Sequence, residues 1–289
     1  MPLPVCYLHG EYQPLAQARV SPLDRAFLFS DAVYEVLPVY SGRSFRLPQH
    51  LDRLQRSLNA IGMPAPLTHL QWAQICAELI TRNGGGDMYL YLQVTRGAED
   101  GRNHAWPDSL TPTVFAYASA LPPLSAEVQA NGVAAITAQD IRWARRDIKS
   151  TSLLANVLLK KQAVNAGAFE TILLQDGMLT EGASTTVHVI VRGEIHTPPN
   201  GHVILPGTTR SVVEELAGSI GLLTRSVAVS EAQLRGAEEI WLAFSTRGVL
   251  PVTRLDGKPV GSGKPGLQFQ RMHAAFLRYI AELQSTPPL

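Results

Sequence analysis

The sequence predicts an α+β fold in two domains, and three observations carry that expectation. Strand patterns come in hairpin pairs, amphipathic helix patterns stand apart from them instead of alternating one for one, and 289 residues exceed the ~100–200 that one domain commonly holds. Residues 1–120 read as an N-terminal α/β domain, 121–131 as an interdomain linker and 132–289 as a C-terminal domain. The linker rests on "LPPLSAEVQANG", whose two prolines break both strand and helix periods before a fresh strand pattern begins.

In chain order, "YEVLPVYSGRSFRL" reads as two strands about a tight turn at Ser41-Gly42, because β-branched and aromatic residues flank turn chemistry. "PQHLDRLQRSLNAIG" switches period, with Leu51, Leu54, Leu58 and Ile61 at helical spacing, Pro48 near the start and Gly62 at the stop. "LTHLQWAQICAELITRNGGG" is a second helix, and "DMYLYLQVTRG" and "TPTVFAYASA" are strands. Gly84-Gly85-Gly86 precedes a strand, whereas a phosphate-cradling loop follows one, so it is a linker turn. "VAAITAQDIRW" is a strand. After a helix, "FETILLQDGMLTEG" and "STTVHVIVRGEIHTP" turn at Asp176-Gly177 and Arg192-Gly193, which predicts three or four antiparallel strands in series. "LPGTTRSVVEELAGSIGL" places Val212, Val213, Leu216, Ala217 and Ile220 on one helical stripe capped by Gly221. Strands follow in "EEIWLAFSTRGVLPVTRLDGK", and "PGLQFQRMHAAFLRYIAELQ" is a closing helix.

Composition narrows the function. Hydrophobic residues at 45% and charged residues at 17% describe a globular chain able to enclose a pocket. Lys plus Arg is 25 against 24 Asp plus Glu, a formal charge of +1, so a nucleic-acid partner is not expected. Cys6 and Cys76 have no CxxC spacing, so neither a disulfide framework nor a structural zinc site is suggested, and two buried thiols in a reducing compartment are expected. His196 and His202 lie in a Pro-rich loop without ligand-like spacing, so no metal site is expected. The start lacks a secretory pattern and no run of about 18 apolar residues occurs, which predicts a cytoplasmic protein without a membrane span.

Three stretches could carry chemistry. "RRDIKSTSLLANVLLKKQA" sets Lys149 at the threshold of an apolar-striped helix. It is either a solvated charge or a nucleophile, and the second reading needs a desolvated pocket or neighbouring cations such as Arg145 and Arg146 to lower its pKa. In "LTEGASTT", Glu181 is either an exposed strand-end charge or a carboxylate that holds a proton on a ring nitrogen. In "LPGTTRSVVEEL", Gly207, Thr208 and Thr209 open a helix and are either a plain N-cap or a phosphate site built from unpaired N–H groups and the positive helix end. Together, a lysine for a Schiff base, an acid for a pyridine nitrogen and a helix start for a phosphate are the three anchors of pyridoxal phosphate.

From "RVSPLDRAFLFSDAVYEVLPVYSGRSFRLPQHLDRL" to "GVLPVTRLDGK" the chain resembles the fold-type IV pyridoxal-phosphate enzymes, which include D-amino acid and branched-chain aminotransferases and aminodeoxychorismate lyases. The resemblance implies a two-domain fold with mixed sheets and a barrel-like C-terminal domain that anchors pyridoxal 5'-phosphate. It implies Lys149 as the Schiff-base lysine and proton carrier, Glu181 at the pyridine nitrogen, and Arg53, Gly207, Thr208, Thr209 and Ser245 around the phosphate. Leu205 would pack on the ring, and Ser184 and Thr185 would be polar supports beside it. "VTRGAEDGRNHAWP" resembles the D-type segment whose Arg-x-His pair holds a substrate carboxylate, here Arg102 and His104, with Tyr34 near the same group.

The implied activity moves the amino group of a D-amino acid to a 2-oxo acid by a ping-pong route, in a homodimer. The alternatives on the same scaffold are a branched-chain aminotransferase, an (R)-amine transaminase and a lyase; a non-catalytic scaffold protein is disfavoured by the presence of both Lys149 and Glu181. Branched-chain relatives carry a tyrosine shortly after the lysine, where this chain has Leu153 and Leu154. Ala183 and Pro206 depart from the common D-type residues, which implies tuning of the cofactor site.

Overall fold

The computed structural model describes residues 1–107, 109–121 and 123–285. Its contacts cluster into two compact units: one holds Met1–Leu121 together with Ile148–Ser152 and Leu283–Ser285, the other Pro123–Asp147 with Leu153–Glu282. Lys149, placed with the C-terminal residues by the sequence reading, therefore clusters with the N-terminal unit. The segment expected as a linker contains a helix, α4 (Ala126–Asn131), because Ser125 caps it by accepting from the Val128 N–H.

The N-terminal unit comprises β1 (Pro2–Leu8), β2 (Glu11–Pro14), the short α1 (Arg25–Phe29), β3 (Ala32–Tyr40), β4 (Arg43–Ser44), α2 (Leu47–Ala60), α3 (His69–Arg82), β5 (Met88–Thr95) and β6 (Thr113–Ala120). Its strands form one antiparallel sheet in the order β2-β1-β6-β5-β3-β4. The β3–β4 hairpin turns on Ser41 and Gly42, both at positive φ, as the Ser-Gly pair predicts. Leu51, Leu54 and Leu58 of α2 and Trp72, Ile75 and Leu79 of α3 share one apolar core with Leu37 and Val39 of β3 and Leu90 and Leu92 of β5. Thr68 starts α3 with a reciprocal capping box to Gln71.

The second unit continues with β7 (Val133–Gln139), α5 (Leu154–Asn165), β8 (Glu170–Gln175), β9 (Met178–Gly182), β10 (Thr186–Val191), β11 (Glu194–Thr197), α6 (Thr208–Ser219), β12 (Thr224–Ser226), α7 (Glu231–Arg235), β13 (Glu239–Phe244), β14 (Gly248–Leu255) and β15 (Lys258–Pro259), and α8 (Leu267–Ser285) follows. The sheet order is β12-β11-β10-β13-β14-β7-β8-β9, with β15 beside β14. Both Asp176-Gly177 and Arg192-Gly193 form their hairpins with positive φ. The two hairpins do not lie in series, because β13, β14 and β7 come between them. β7 runs parallel to both β8 and β14, with α5 as the crossover from β7 to β8, so the sheet is mixed.

Residues 183–185 are all that separate β9 from β10, and the Gly182 N–H donates to the Thr185 carbonyl at 2.7 Å. β9 thus touches β10 while standing five strands away in the hydrogen-bonded order, which curls the sheet into a partial barrel. Its inner rows follow the period of two: Val133 and Ala135, Ile172 and Leu174, Val187 and Val189, Ile240 and Leu242, Leu250 and Val252. α5 departs from the expected apolar stripe. Only Leu159 and Ala163 are buried, while Leu154, Val157, Leu158 and Val164 face outward.

Candidate active site

The predicted residues fall into two groups, one in each unit. In the N-terminal unit, Lys149 stands on extended chain upstream of α5, not on the helix. Its carbonyl accepts the Tyr34 N–H at 2.9 Å, its own N–H donates to Ser57 Oγ at 3.2 Å, and Ser150 bridges Val33. These bonds stitch the segment to the start of β3 and to α2. The Lys149 ammonium then lies 4.2 Å above the Tyr34 ring, and Tyr34 stacks on Tyr91 with centroids 5.5 Å apart. The two neighbouring arginines are each paired: Arg145 donates twice to Asp147, and Arg146 pairs with Asp140 and Gln175.

Arg53 is buried, not an exposed helix arginine. Its Nε and Nη2 donate to the two Glu35 carboxylate oxygens at 2.7 and 2.8 Å, and His50 Nδ1 lies 2.7 Å from Glu35 Oε2. Burial pushes the Glu35 carboxyl up, but Arg53 and His50 outweigh it and hold the group well below the usual carboxylate range. Burial also pulls the His50 imidazole down despite that carboxylate; its Nδ1 faces Glu35, and its buried Nε2 has no partner among the described residues. The sequence reading missed Glu35 and His50. The signal was an acid on β3 and a base on α2, each at a position that otherwise faces a core.

Arg102 and His104 meet over one side chain. The Arg102 guanidinium lies 4.7 Å from the Phe29 ring centroid, and the His104 ring lies 5.2 Å from it. Buried Arg25 holds this loop, donating to the carbonyls of Asn103 at 2.6 Å and His104 at 3.1 Å while paired with Asp31 and Glu99. Asp24 anchors the other side: it caps α1 through the Ala26 N–H and accepts the hydroxyls of Thr95 and Thr113. "PLDRAF" thus supplies the frame for the Arg-x-His pair, a role the sequence reading left unassigned.

In the second unit, Glu181 closes β9 and is buried, which overturns the exposed strand-end alternative. Its Oε1 pairs with Arg142, and its Oε2 accepts the Leu205 N–H at 3.2 Å. Burial raises the Glu181 carboxyl, with Arg142 pulling the other way. Two residues past Leu205, Gly207 leads into α6 without any side-chain cap on the helix start. A Cβ on Gly207 would stand 2.6 Å from Thr186 Oγ1, and Thr208 Oγ1 lies 3.5 Å from Ser245 Oγ. Hydroxyls and open first-turn N–H groups therefore surround a small cradle that suits an anion. Ser184 donates its hydroxyl to buried Glu170 at 2.6 Å, and Thr185 is buried with Oγ1 unpartnered among the described residues.

These residues fit pyridoxal phosphate in donor chemistry: within one unit, a buried carboxylate and an uncapped helix start are joined by a single short segment, as a ring nitrogen and a phosphate carried by the same ring require. The family model for amino-transferase class IV matches residues 32–255. The chain belongs to that family. This aminotransferase is 41% identical over 258 residues to a D-alanine aminotransferase of Bacillus licheniformis, covering 89% of this chain and 90% of that protein. It is 34% identical over 275 residues to a D-alanine aminotransferase of Staphylococcus aureus strain MSSA476, covering 95% and 97%. Among solved structures, a branched-chain amino acid aminotransferase of Escherichia coli superposes with a TM-score of 0.90 at 24% identity, covering 96% of this chain and 95% of that one. The class IV aminotransferase has the fold-type IV architecture that the resemblance implied. Among its described residues no helix is long and apolar enough to cross a membrane and no cluster of metal-ligating side chains occurs.

Proposed function

We propose that the protein transfers the amino group of a D-amino acid such as D-alanine to a 2-oxo acid such as 2-oxoglutarate, with pyridoxal 5'-phosphate as cofactor. The observation that carries the substrate class is the 41% identity to a D-alanine aminotransferase across nine-tenths of both chains. The pairing of Arg102 and His104 on Phe29 supports it, because two donor side chains gathered on one ring can receive a carboxylate. When bound, pyridoxal phosphate supplies the aldehyde that takes up the amino group and a ring that accepts the electron pair left on the substrate Cα.

The chain's residues then have separate tasks. Lys149 Nζ would hold the cofactor and would carry the proton to and from the substrate Cα. The Tyr34 ring beneath the ammonium keeps that amine oriented, and the Tyr34 hydroxyl joins Arg102 and His104 at the substrate carboxylate. Glu181 accepts a hydrogen bond from the ring nitrogen. Gly207, Thr208, Thr209 and Ser245 donate to the phosphate, with Arg53 as its guanidinium partner. Leu205 packs on the ring, and Ser184 and Thr185 support it. The reading includes a homodimer and a cytoplasmic location; buried free Cys6 and Cys76 agree with a reducing compartment.

The test is a spectrum of the protein loaded with pyridoxal phosphate, recorded without acceptor after adding D-alanine or, separately, L-leucine. Conversion of the visible cofactor band to the pyridoxamine form with D-alanine alone is the expected result. Conversion with L-leucine alone moves the assignment to a branched-chain enzyme, and no visible band in the loaded protein removes Lys149 from its role.

A further inference from the structure

Behind Glu181 lies an ion-pair chain that ring binding does not require. Arg142 donates from Nε to Asp140 Oδ1 at 3.0 Å and from Nη2 to Asp140 Oδ2 at 2.7 Å, and its backbone N–H donates to Asp140 Oδ1 at 3.1 Å. Its remaining terminal nitrogen, Nη1, is pointed at Glu181 Oε1. Asp140 is itself fastened by the Thr180 hydroxyl at 2.7 Å, and Arg146 lies 3.5 Å from its other oxygen while donating to the Arg142 carbonyl and to Gln175. Apart from half-buried Gln175, these polar side chains are all nearly buried. The groups facing Glu181 are therefore Arg142, Asp140, Arg146 and the Leu205 N–H.

We infer that Arg142, held by Asp140, is the positioning residue that keeps Glu181 a carboxylate, so that the proton shared with the cofactor's ring nitrogen resides on the ring. The inference rests on the proposed binding of pyridoxal phosphate with Glu181 at that nitrogen. A contact between a ring nitrogen and a carboxyl has two forms with nearly the same heavy-atom geometry, N⁺–H···O⁻ and N···H–O. Relative proton affinity selects between them. Burial alone favours the neutral acid, and burial indeed raises the Glu181 carboxyl. A guanidinium on the opposite oxygen pulls the other way, toward the carboxylate. In either form the four side chains and the ring together carry one positive charge; with the proton on the ring Glu181 remains an anion paired with Arg142, and with the proton on Glu181 that ion pair is lost. The bidentate grip of Asp140 matters because a guanidinium free to rotate toward water would lose its hold on Oε1.

Removal of Arg142 should leave the hydrogen bond and the cofactor in place but move the proton to Glu181, where the ring loses its capacity to accept electrons. The experiment loads the purified protein with pyridoxal phosphate carrying ¹⁵N in the ring and reads the ring-nitrogen resonance at pH 7.5, beside cofactor stoichiometry and the single-turnover rate with D-alanine. The wild type is expected in the pyridinium range. Arg142→Gln is expected to bind cofactor with the resonance in the neutral pyridine range and to react slower by at least about 10²-fold, the scale of losing a preorganised charge contact; Arg142→Lys is expected to recover the pyridinium resonance. The double variant Asp140→Asn with Arg142→Gln leaves no unpaired buried aspartate and carries the same measurement if the single variant does not fold. A pyridinium resonance unchanged in either glutamine variant overturns the inference, as does a neutral ring in the wild type, and in both cases the bound cofactor leaves the aminotransferase reading standing. A wild type that binds no cofactor overturns both.

Discussion

His188 gives the sharpest stability prediction, because its ring is buried on β10 opposite Trp241 and neither nitrogen meets a hydrogen-bond partner among the described residues. Burial, with the Arg210 charge nearby, pulls the imidazole down to about 3. An unfolded histidine titrates near ~6.5. Above that pH the residue is neutral in both states and imposes no penalty. Between pH 6.5 and 3 the unfolded chain binds a proton that the folded chain refuses, so stability falls as pH drops through this window. The loss approaches ~1.4 kcal/mol per pH unit and reaches about 2 kcal/mol at pH 5.0. For a unit of this size that corresponds to a Tm lower by about 4–8 °C. His188→Phe keeps an aromatic ring and removes the titration. The assay is thermal unfolding of wild type and variant at pH 7.5 and 5.0, with equilibrium urea unfolding as a check. Other titrating groups are common to both proteins and cancel in the double difference. The variant is expected to lose about 2 kcal/mol less on acidification; equal losses in both proteins would refute the assignment of a neutral, unpartnered His188.

Two further outcomes follow from the site. Gly207→Ala adds a Cβ 2.6 Å from Thr186 Oγ1, inside the cradle at the start of α6, so the dissociation constant for pyridoxal phosphate is expected to rise at least about 10-fold, ~1.4 kcal/mol, in an absorbance titration; an unchanged constant would remove the phosphate from that cradle. Arg25→Lys keeps the charge but loses the fork that grips the carbonyls of Asn103 and His104, so KM for D-alanine is expected to rise about 10-fold with cofactor affinity unchanged. A constant KM would show that the loop bearing Arg102 and His104 does not depend on Arg25.

Much of the local structure was legible because its causes are local. Asp176-Gly177 and Arg192-Gly193 made hairpins since two-residue turns need positive φ, which the glycine in each pair adopts freely, and the Leu51, Leu54 and Leu58 spacing placed α2 on its core. The expected antiparallel series failed for a non-local reason: partner choice among strands depends on β13, β14 and β7, which arrive from far along the chain and insert between the two hairpins. The apolar run of α5 likewise gave its helix but not its facing, since Leu159 and Ala163 turn to the core while Leu154, Val157, Leu158 and Val164, of the same apolar character, face outward.

The site divides in the same way. Residue types in order along the chain determined the family and singled out the lysine, the acid and the helix start proposed to hold pyridoxal phosphate. Only tertiary structure decided their electrostatic state. Lys149 is held through its N–H by Ser57, 92 residues away, Glu35 is ionised because His50 and Arg53 converge on it, and Glu181 faces Arg142 across 39 residues of sequence. Desolvation and Coulomb interaction depend on which groups lie within a few ångströms after folding, and sequence spacing does not encode that distance.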